Sequence, residues 1–447
     1  MSTESAESRY VTDVPYARRF VRELAPAWLD FTALICGFRP PARENGFAWC
    51  ELGCGHGVTP ALLAVTHQNG QFLGIDLMPQ HADFGKALCR DAGIGNARFE
   101  ALDFAAAAAL DLPPFDYIVA HGVYTWIDAA AQADLIDFVD RHLKPGGLVY
   151  LSYDCQPGWA ADMPLQHLLR DLAERAAGDS IARLDAADRT VTALMNAGAA
   201  VLRQGAMGRE WEELRRRLPP SYFVHQFLPP GWQPLYVTEV RHAAAGIDLV
   251  PIGSATIREN VDAFTLDRAE RELVNAASDP DMRELLRDYL LMKRFRRDVF
   301  GRITPPLAEP DQRQRIVETH FMLPPTVDAT SSNQSPVPFN DPAAQRILGL
   351  LSSGPASPSS LLAEGEAIGS LVAQIIALAA AGRIWPVDAP GSHNSVDRAN
   401  AAIQKRMGGP DEIAFLALPV GTAIELNEDQ LQRLGKDGET AATREDS

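Results

Sequence analysis

The chain has 447 residues, 46% of them hydrophobic and 22% charged, with a formal net charge of −17 at pH 7. That length holds two or three domains, each with its own core, and the composition excludes wholesale disorder. The acidic balance argues against a broad nucleic-acid-binding face, which needs clustered Lys and Arg.

In chain order, the first informative stretch is Trp49-Cys50-Glu51-Leu52-Gly53-Cys54-Gly55-His56-Gly57. It leaves an apolar, strand-like run and enters a helix-like one. Glycines at such a turn let the backbone approach a ligand, because no Cβ intervenes and positive φ is accessible. From there to residue 154 short apolar runs alternate with helical patterns. Strands are expected at 48–52, 71–76, 97–100, 117–121 and 148–153, and helices at 59–66, 79–92 and 130–142. This alternation predicts an α/β fold, a doubly wound Rossmann-like sheet with ligands at the C-terminal ends of its strands.

Residues 157–220 read as helical and charged. A helix at 235–245, Gly246-Ile247 and a strand at 249–252 follow, like the closing piece of the same sheet. The expected ligand-binding domain is therefore 1–158 with 222–256, and 159–221 is a helical insertion. Residues 257–322, rich in Arg, Asp, Glu and Leu, read as a helical middle domain. Residues 323–341 have linker composition. Residues 342–434 read as a winged-helix-like module, with helices at 343–351, 358–364 and 368–381 and a strand at Gly382-Arg383-Ile384-Trp385. Its acidity suits packing on protein rather than DNA. Residues 435–447 read as a disordered tail.

The basic runs Arg215-Arg216-Arg217 and 293–297 read as solvated helix faces. Cys36, Cys50, Cys54, Cys89 and Cys155 form no metal-type set and are expected to be reduced thiols. No metal is expected. With no apolar leader and no run long enough to span a bilayer, the expectation is a soluble cytoplasmic protein with no membrane partner.

Asp76, followed by Leu77, ends the second strand, where a carboxylate can accept both hydroxyls of a ribose or cap the helix that begins near Pro79. Asp103 ends the third strand and can accept from an adenine amino group while Phe104 packs on the ring. Glu51-Leu52-Gly53-Cys54-Gly55-His56-Gly57, Asp76, Asp103-Phe104, Phe115-Asp116-Tyr117-Ile118-Val119-Ala120 and Leu143-Lys144-Pro145-Gly146-Gly147 stand in the order of class I S-adenosylmethionine-dependent methyltransferases, which the chain resembles.

A narrower resemblance, to methyltransferases carrying a methyltransferase regulatory domain, rests on four blocks. These are Tyr10-Val11-Thr12-Asp13-Val14-Pro15-Tyr16, His121-Gly122-Val123-Tyr124-Thr125-Trp126, Tyr153-Asp154-Cys155-Gln156-Pro157-Gly158-Trp159 and Lys293-Arg294-Phe295-Arg296-Arg297-Asp298. That group includes bacterial protein-lysine methyltransferases. Asp154, Gln156 and Thr125 depart from its pattern, standing where Asn, Leu and Ser are usual.

The resemblance implies S-adenosylmethionine as cofactor, contacted by Glu51, Gly53, Cys54, Gly55, Gly57, Asp76, Leu77, Asp103, Phe104 and His121. Methyl transfer to a placed nucleophile needs no metal, and aromatic faces favour a sulfonium or an approaching ammonium. Tyr16, Tyr124 and Trp126 are the aromatics expected on that rim, and each also reads as core packing. His121 reads either as a general base or as a backbone contact to the cofactor. The expected acceptor is a protein side chain, lysine. A small-molecule acceptor (a saccharide or secondary metabolite) and a non-catalytic cofactor sensor are the alternatives, and a homodimer is left open.

Overall fold

A computed structural model describes residues 11–303, 306–325, 341–362, 368–409, 411–427 and 430–431. Tyr10, most of the expected linker and the expected tail lie outside the described residues.

Five strands form first: β1 (Phe47–Leu52), β2 (Gly70–Asp76), β3 (Ala97–Ala101), β4 (Phe115–Ala120) and β5 (Leu143–Asp154). They pair in parallel in the order β3-β2-β1-β4-β5. β1 and β4 are near-continuous apolar runs because a central parallel strand is covered on both faces. One face carries α1 (Pro26–Ile35), α2 (Val58–Thr66) and α3 (Pro79–Ala92) over Trp49, Tyr117 and Tyr150. The other carries α4 (Phe104–Ala108) and α5 (Ala129–His142) over Cys50, Ile118 and Leu151. Successive residues of each strand thus enter opposite cores.

The Lys144-Pro145-Gly146-Gly147 turn has a local cause. Phe115 pairs with Leu143 and Tyr117 with Leu148, so the intervening residues bulge out of register. Asp116 Oδ2 closes the bulge, accepting from Lys144 Nζ and from the Ala48 amide, each at 2.7 Å.

Helices α6 (Met163–Arg175), α7 (Ser180–Asn196), α8 (Ala206–Arg209), α9 (Trp211–Arg217) and α10 (Pro220–Phe227) follow. They have a core of their own around Trp211, Phe223, Phe227, Trp159 and Trp232. The chain returns to the sheet through α11 (Val237–Ala245) and β6 (Leu249–Ser254), then α12 (Arg268–Ala276), α13 (Pro280–Leu291) and β7 (Phe295–Arg302).

Here the structure corrects the sequence reading. Residues 295–302, expected to be helical, are a strand inserted antiparallel between β5 and β6, giving a seven-stranded mixed sheet. Buried charge hides the strand. Arg296 Nε donates to both Asp298 oxygens at 3.0 Å, its other nitrogens reach Asp288 at 2.6 Å and Glu284 at 2.9 Å, and Tyr153 Oη donates to Asp298 at 2.6 Å. Inward positions filled by Arg and Asp do not read as the apolar half of a strand.

The remaining elements are α14 (Glu309–Glu318), β8 (His320–Met322), α15 (Pro342–Leu351), α16 (Ile368–Ala380), β9 (Trp385–Val387), α17 (His393–Gln404), β10 (Phe415–Leu418) and β11 (Thr422–Glu425). β9 pairs with β8, and β10 with β11. The sequence reading omitted α17 and the closing hairpin. Ile403, Phe415 and Ala417 share one buried core with Leu62 and Leu88. The C-terminal module therefore packs on the α2–α3 layer, while α4 and α5 cover the opposite face of the sheet.

Candidate active site

The turn after β1 is shaped by two close approaches and one open position. A Cβ on Gly53 would lie 2.4 Å from Val123 Cγ2, and one on Gly57 would lie 2.2 Å from the Phe99 ring. Gly55, at φ +52°, has no other atom within 4 Å of where its Cβ would be. Its backbone lines an open cradle at the C-terminal ends of β1 and β2.

Asp76 holds that cradle in place. Its Oδ2 accepts the Gly55 amide at 2.8 Å, and its Oδ1 accepts from the Met78 amide and His81 Nδ1, each at 3.0 Å. Three of roughly four lone-pair positions are thus used by the protein, leaving one on Oδ2 for a further donor. Asp76 is not itself the cap of α3: Met78 stands at the N-cap, no side chain caps the helix, and Asp76 accepts the Met78 amide just before it. Leu77 beside it is half-buried.

His81 was not anticipated from the sequence. It is buried, its ring lies 4.3 Å from that of His56, and its Nε2 is 3.5 Å from the Tyr16 amide. Burial, then the neighbouring His81, pushes His56 down to about 3. Cys54 is half-buried, its thiol pushed well up by burial and by the Asp76 and Glu51 charges.

Glu51, next to last in β1, is a buried carboxyl whose Oε2 has no hydrogen-bond partner among the described residues. Burial and the Asp76 charge hold it well above the usual carboxylate range. A buried acid without a donor is expensive, and a bound cation or N–H group would relieve it. Asp103 is exposed and caps α4, accepting the Ala106 amide at 2.7 Å, with the half-buried Phe104 beside it.

Beyond β4 the geometry separates the expected aromatics. Tyr124 and Trp126 are 4% and 8% exposed and sit in two different cores, whereas Tyr16 is 44% exposed. Core packing accounts for the first two, and Tyr16 alone of the three stands at an opening. Its ring meets the edge of His225 at 5.1 Å.

His121 is tied to its neighbours through Nδ1. Its Nδ1 lies 2.8 Å from Tyr150 Oη and 3.2 Å from Ser152 Oγ, which also accepts the Gly122 amide at 2.8 Å. Burial, with Arg297 and Arg19 adding to it, pushes His121 down to about 3. The imidazole stays neutral across the physiological range.

The period of β5 carries this polar row one step further. Tyr150 belongs to the α1-side core and Leu151 and Tyr153 to the other, so Ser152 and Asp154 share the Tyr150 face. Asp154 is 4% exposed, and its Oδ2 accepts from Gln226 Nε2 at 2.8 Å and Trp232 Nε1 at 2.9 Å. Burial pushes it up to about 6 against those donors. Burial also raises the phenol of Tyr222, and the Asp154 charge adds to that shift. Trp159 packs on Trp232 at 5.0 Å and under the Arg294 guanidinium at 4.1 Å, which is paired with Asp162.

The residues present fit the cofactor that the sequence resemblance implies. The Gly55 backbone is open to a ligand on its Cβ side, Asp76 retains an acceptor position, and the orphaned Glu51 Oε2 suits the ammonium of an amino-acid moiety.

Comparison with known proteins agrees. Residues 50–149 match a family model described as a methyltransferase domain, and residues 219–302 match one described as a predicted methyltransferase regulatory domain. The chain is 29% identical over 442 residues to an uncharacterized protein of Synechocystis sp., covering 96% of this chain and 87% of that one. It is 33% identical over 164 residues to an uncharacterized protein of Rickettsia prowazekii, covering 36% of this chain and 62% of that one. Among solved structures, PKMT2 from Rickettsia typhi in complex with AdoHcy shares the fold, with a TM-score of 0.71, 20% identity, and coverage of 94% of this chain and 88% of that one.

Proposed function

We propose that this chain, an S-adenosylmethionine-dependent methyltransferase with a methyltransferase regulatory domain, methylates a lysine side chain of a protein acceptor. The observation that carries the reading is the group of aromatic side chains at the C-terminal ends of β4 and β5. Tyr16 comes from the N-terminal segment and Tyr222 from α10, and they stand against Trp159 and Trp232, which are buried in the core of the insertion. Their surroundings are anionic at Asp154. Ring faces attract a cation by about 0.5–2 kcal/mol each, so this environment suits an alkylammonium better than a neutral hydroxyl.

When bound, the cofactor supplies an electrophilic methyl group on a sulfonium. The protein has to hold the acceptor nitrogen opposite that sulfur, and such placement alone can lower the barrier by about 7–11 kcal/mol. The Gly55 turn and Asp76 would fix the nucleoside end, Glu51 the amino-acid end, and the aromatic group the approach from the insertion side. The insertion adds five helices beyond the sheet, which supports a large acceptor over a small one.

Labelled-methyl transfer into a fractionated lysate, followed by mass spectrometry of the labelled fractions, tests this. Label on lysine in a protein fraction is the expected result. Label confined to small molecules would replace lysine with a small-molecule acceptor. Tight cofactor binding with no transfer to any fraction would make the protein a cofactor sensor.

A further inference from the structure

The lysine reading leaves one chemical requirement open: an ε-ammonium has no lone pair and must lose a proton before it can attack. His121 is poorly suited to take it. Its Nδ1 is already engaged by Tyr150 and Ser152, and at about 3 it is roughly a thousandfold weaker as a base than a carboxylate at about 6. Glu51 and Asp76 lie at the ends of β1 and β2, on the cofactor side of the sheet.

Asp154 stands at the end of β5 on the same face as Tyr150 and Ser152. Gln226 and Trp232 both donate to Oδ2, Trp159 adds to their stabilisation of the charge, and no donor within 3.5 Å falls on Oδ1 among the described residues, which leaves that oxygen to meet a further donor. We propose that the Asp154 carboxylate binds the ε-ammonium of the acceptor lysine and takes its proton, an assignment that rests on the lysine reading above. Gln226 and Trp232 act as positioning residues, fixing Oδ2 so that Oδ1 presents a constant direction.

The step balances within the known reaction. One N–H proton passes to Asp154 Oδ1, giving a carboxylic acid and a neutral amine. The amine lone pair forms the new N–C bond as the C–S bond breaks, and the sulfur leaves with its electron pair as a thioether. The product is a methylated ammonium, and Asp154 returns its proton to solvent once the product has left. Burial favours this transfer from both ends, because it disfavours the charged form of the amine and of the acid alike.

The groups facing Asp154 come from every neighbouring element. They are Tyr16 from the N-terminal segment, Tyr222 and Gln226 from α10, Trp159 and Trp232 from the flanking loops, and Arg294 before β7, which is itself paired with Asp162. Arg19 also acts on the two phenols. Burial outweighs the donors and Arg294 and sets the Asp154 titration near 6.

Asp154→Asn tests the assignment, since the amide oxygen can still accept from Trp232 and Gln226. The acceptor is the protein fraction that the wild type labels, and kcat/KM is followed from about pH 5 to about pH 9, where it reports groups of the free enzyme. The wild type should lose activity as pH falls through about 6. The variant should lack that limb and run about 100- to 10,000-fold slower, with cofactor affinity unchanged.

An unchanged rate and limb in the variant would overturn the role of Asp154 while leaving the lysine reading intact. A wild type that labels no lysine in any fraction would remove the lysine reading itself. Should the variant fail to fold, absence of an acid limb near pH 6 in the wild type is sufficient to reject the assignment. Without cofactor, n-butylammonium, which is the lysine side chain in isolation, should quench tryptophan fluorescence in the wild type and not in Asp154→Asn. Equal quenching by both, or none in the wild type, also overturns it.

Discussion

The Gly55 amide donates to Asp76 Oδ2 at 2.8 Å, tying the turn after β1 to the end of β2. With Met78 and His81 on the other oxygen, the carboxylate is held in one orientation before any ligand arrives. Asp76→Ala should release the cradle and remove the ribose acceptor together. A hydrogen bond to a charged group contributes about 1.5–3 kcal/mol, so cofactor affinity should fall by at least about 10- to 100-fold. Titration calorimetry reads this directly, and an unchanged Kd would refute the ribose assignment.

Gly55 and Gly93 make a matched pair. Both adopt positive φ, +52° and +65°, and neither has an atom within 4 Å of a would-be Cβ. Gly93 ends α3, away from the cradle. Either Gly→Ala change should destabilise the fold by about 1–2 kcal/mol through left-handed strain. Gly55→Ala alone should also weaken cofactor binding, because its methyl group enters the space the ligand needs. Denaturation midpoints and cofactor Kd, measured on both variants, separate the two effects. Equal cofactor affinity in both would mean that the cradle is not the binding surface.

Arg296 is the hub of a buried network, 7% exposed at its side chain and shared among Asp298, Asp288 and Glu284. Arg296→Met keeps the length and removes the charge, leaving Asp298 and Asp288 without their cation while Glu284 keeps Arg287 and Arg241. Breaking a buried pair in this way costs about 3–5 kcal/mol, visible as a lower urea midpoint. Arg296→Lys should recover only part of it, since an ammonium cannot fork to three carboxylates. Burial pushes Asp288 up to about 7 even with Arg296 beside it. An acid raised on folding binds its proton more tightly in the native state, so its stabilising contribution is full below about 3.8 and is lost as pH rises through about 7. Urea unfolding across that window should show the wild type weakening with rising pH.

How far the sequence could be read follows from where burial and polarity agree. β1, β2, β4 and β5 carry apolar runs bounded by turn residues, and with the short β3 at the edge the parallel half of the sheet was legible from them. β7 was not, because Arg296 and Asp298 occupy inward positions that alternation assigns to apolar residues. Tyr124 and Trp126 were placed correctly after the fourth strand, yet spacing cannot tell a core aromatic from one at an opening. Asp154 stood out only as an unexpected residue in a familiar block. Its environment is set by Gln226 and Trp232, more than seventy positions along the chain, and local pattern carries no trace of them.

The C-terminal module is anchored by Asp388, which binds Arg43 at 2.6 Å and His67 Nε2 at 2.7 Å. Burial works to raise its pKa, but the charges of Arg43 and His67 outweigh burial and hold the carboxyl well below its ordinary value. An acid depressed on folding contributes stability that is present above its unfolded pKa and disappears as pH falls through the folded one. Asp388→Asn should therefore destabilise the protein at neutral pH. Arg43 keeps Asp30 at 2.9 Å, so the loss should sit near the low end for a buried pair, about 3 kcal/mol. The gap between wild type and variant should close on acidification below about pH 4, where the unfolded chain also protonates this acid. Urea unfolding of both proteins near pH 7 and near pH 3 checks the sign. A gap that stays constant would mean that shape, not charge, anchors the module there.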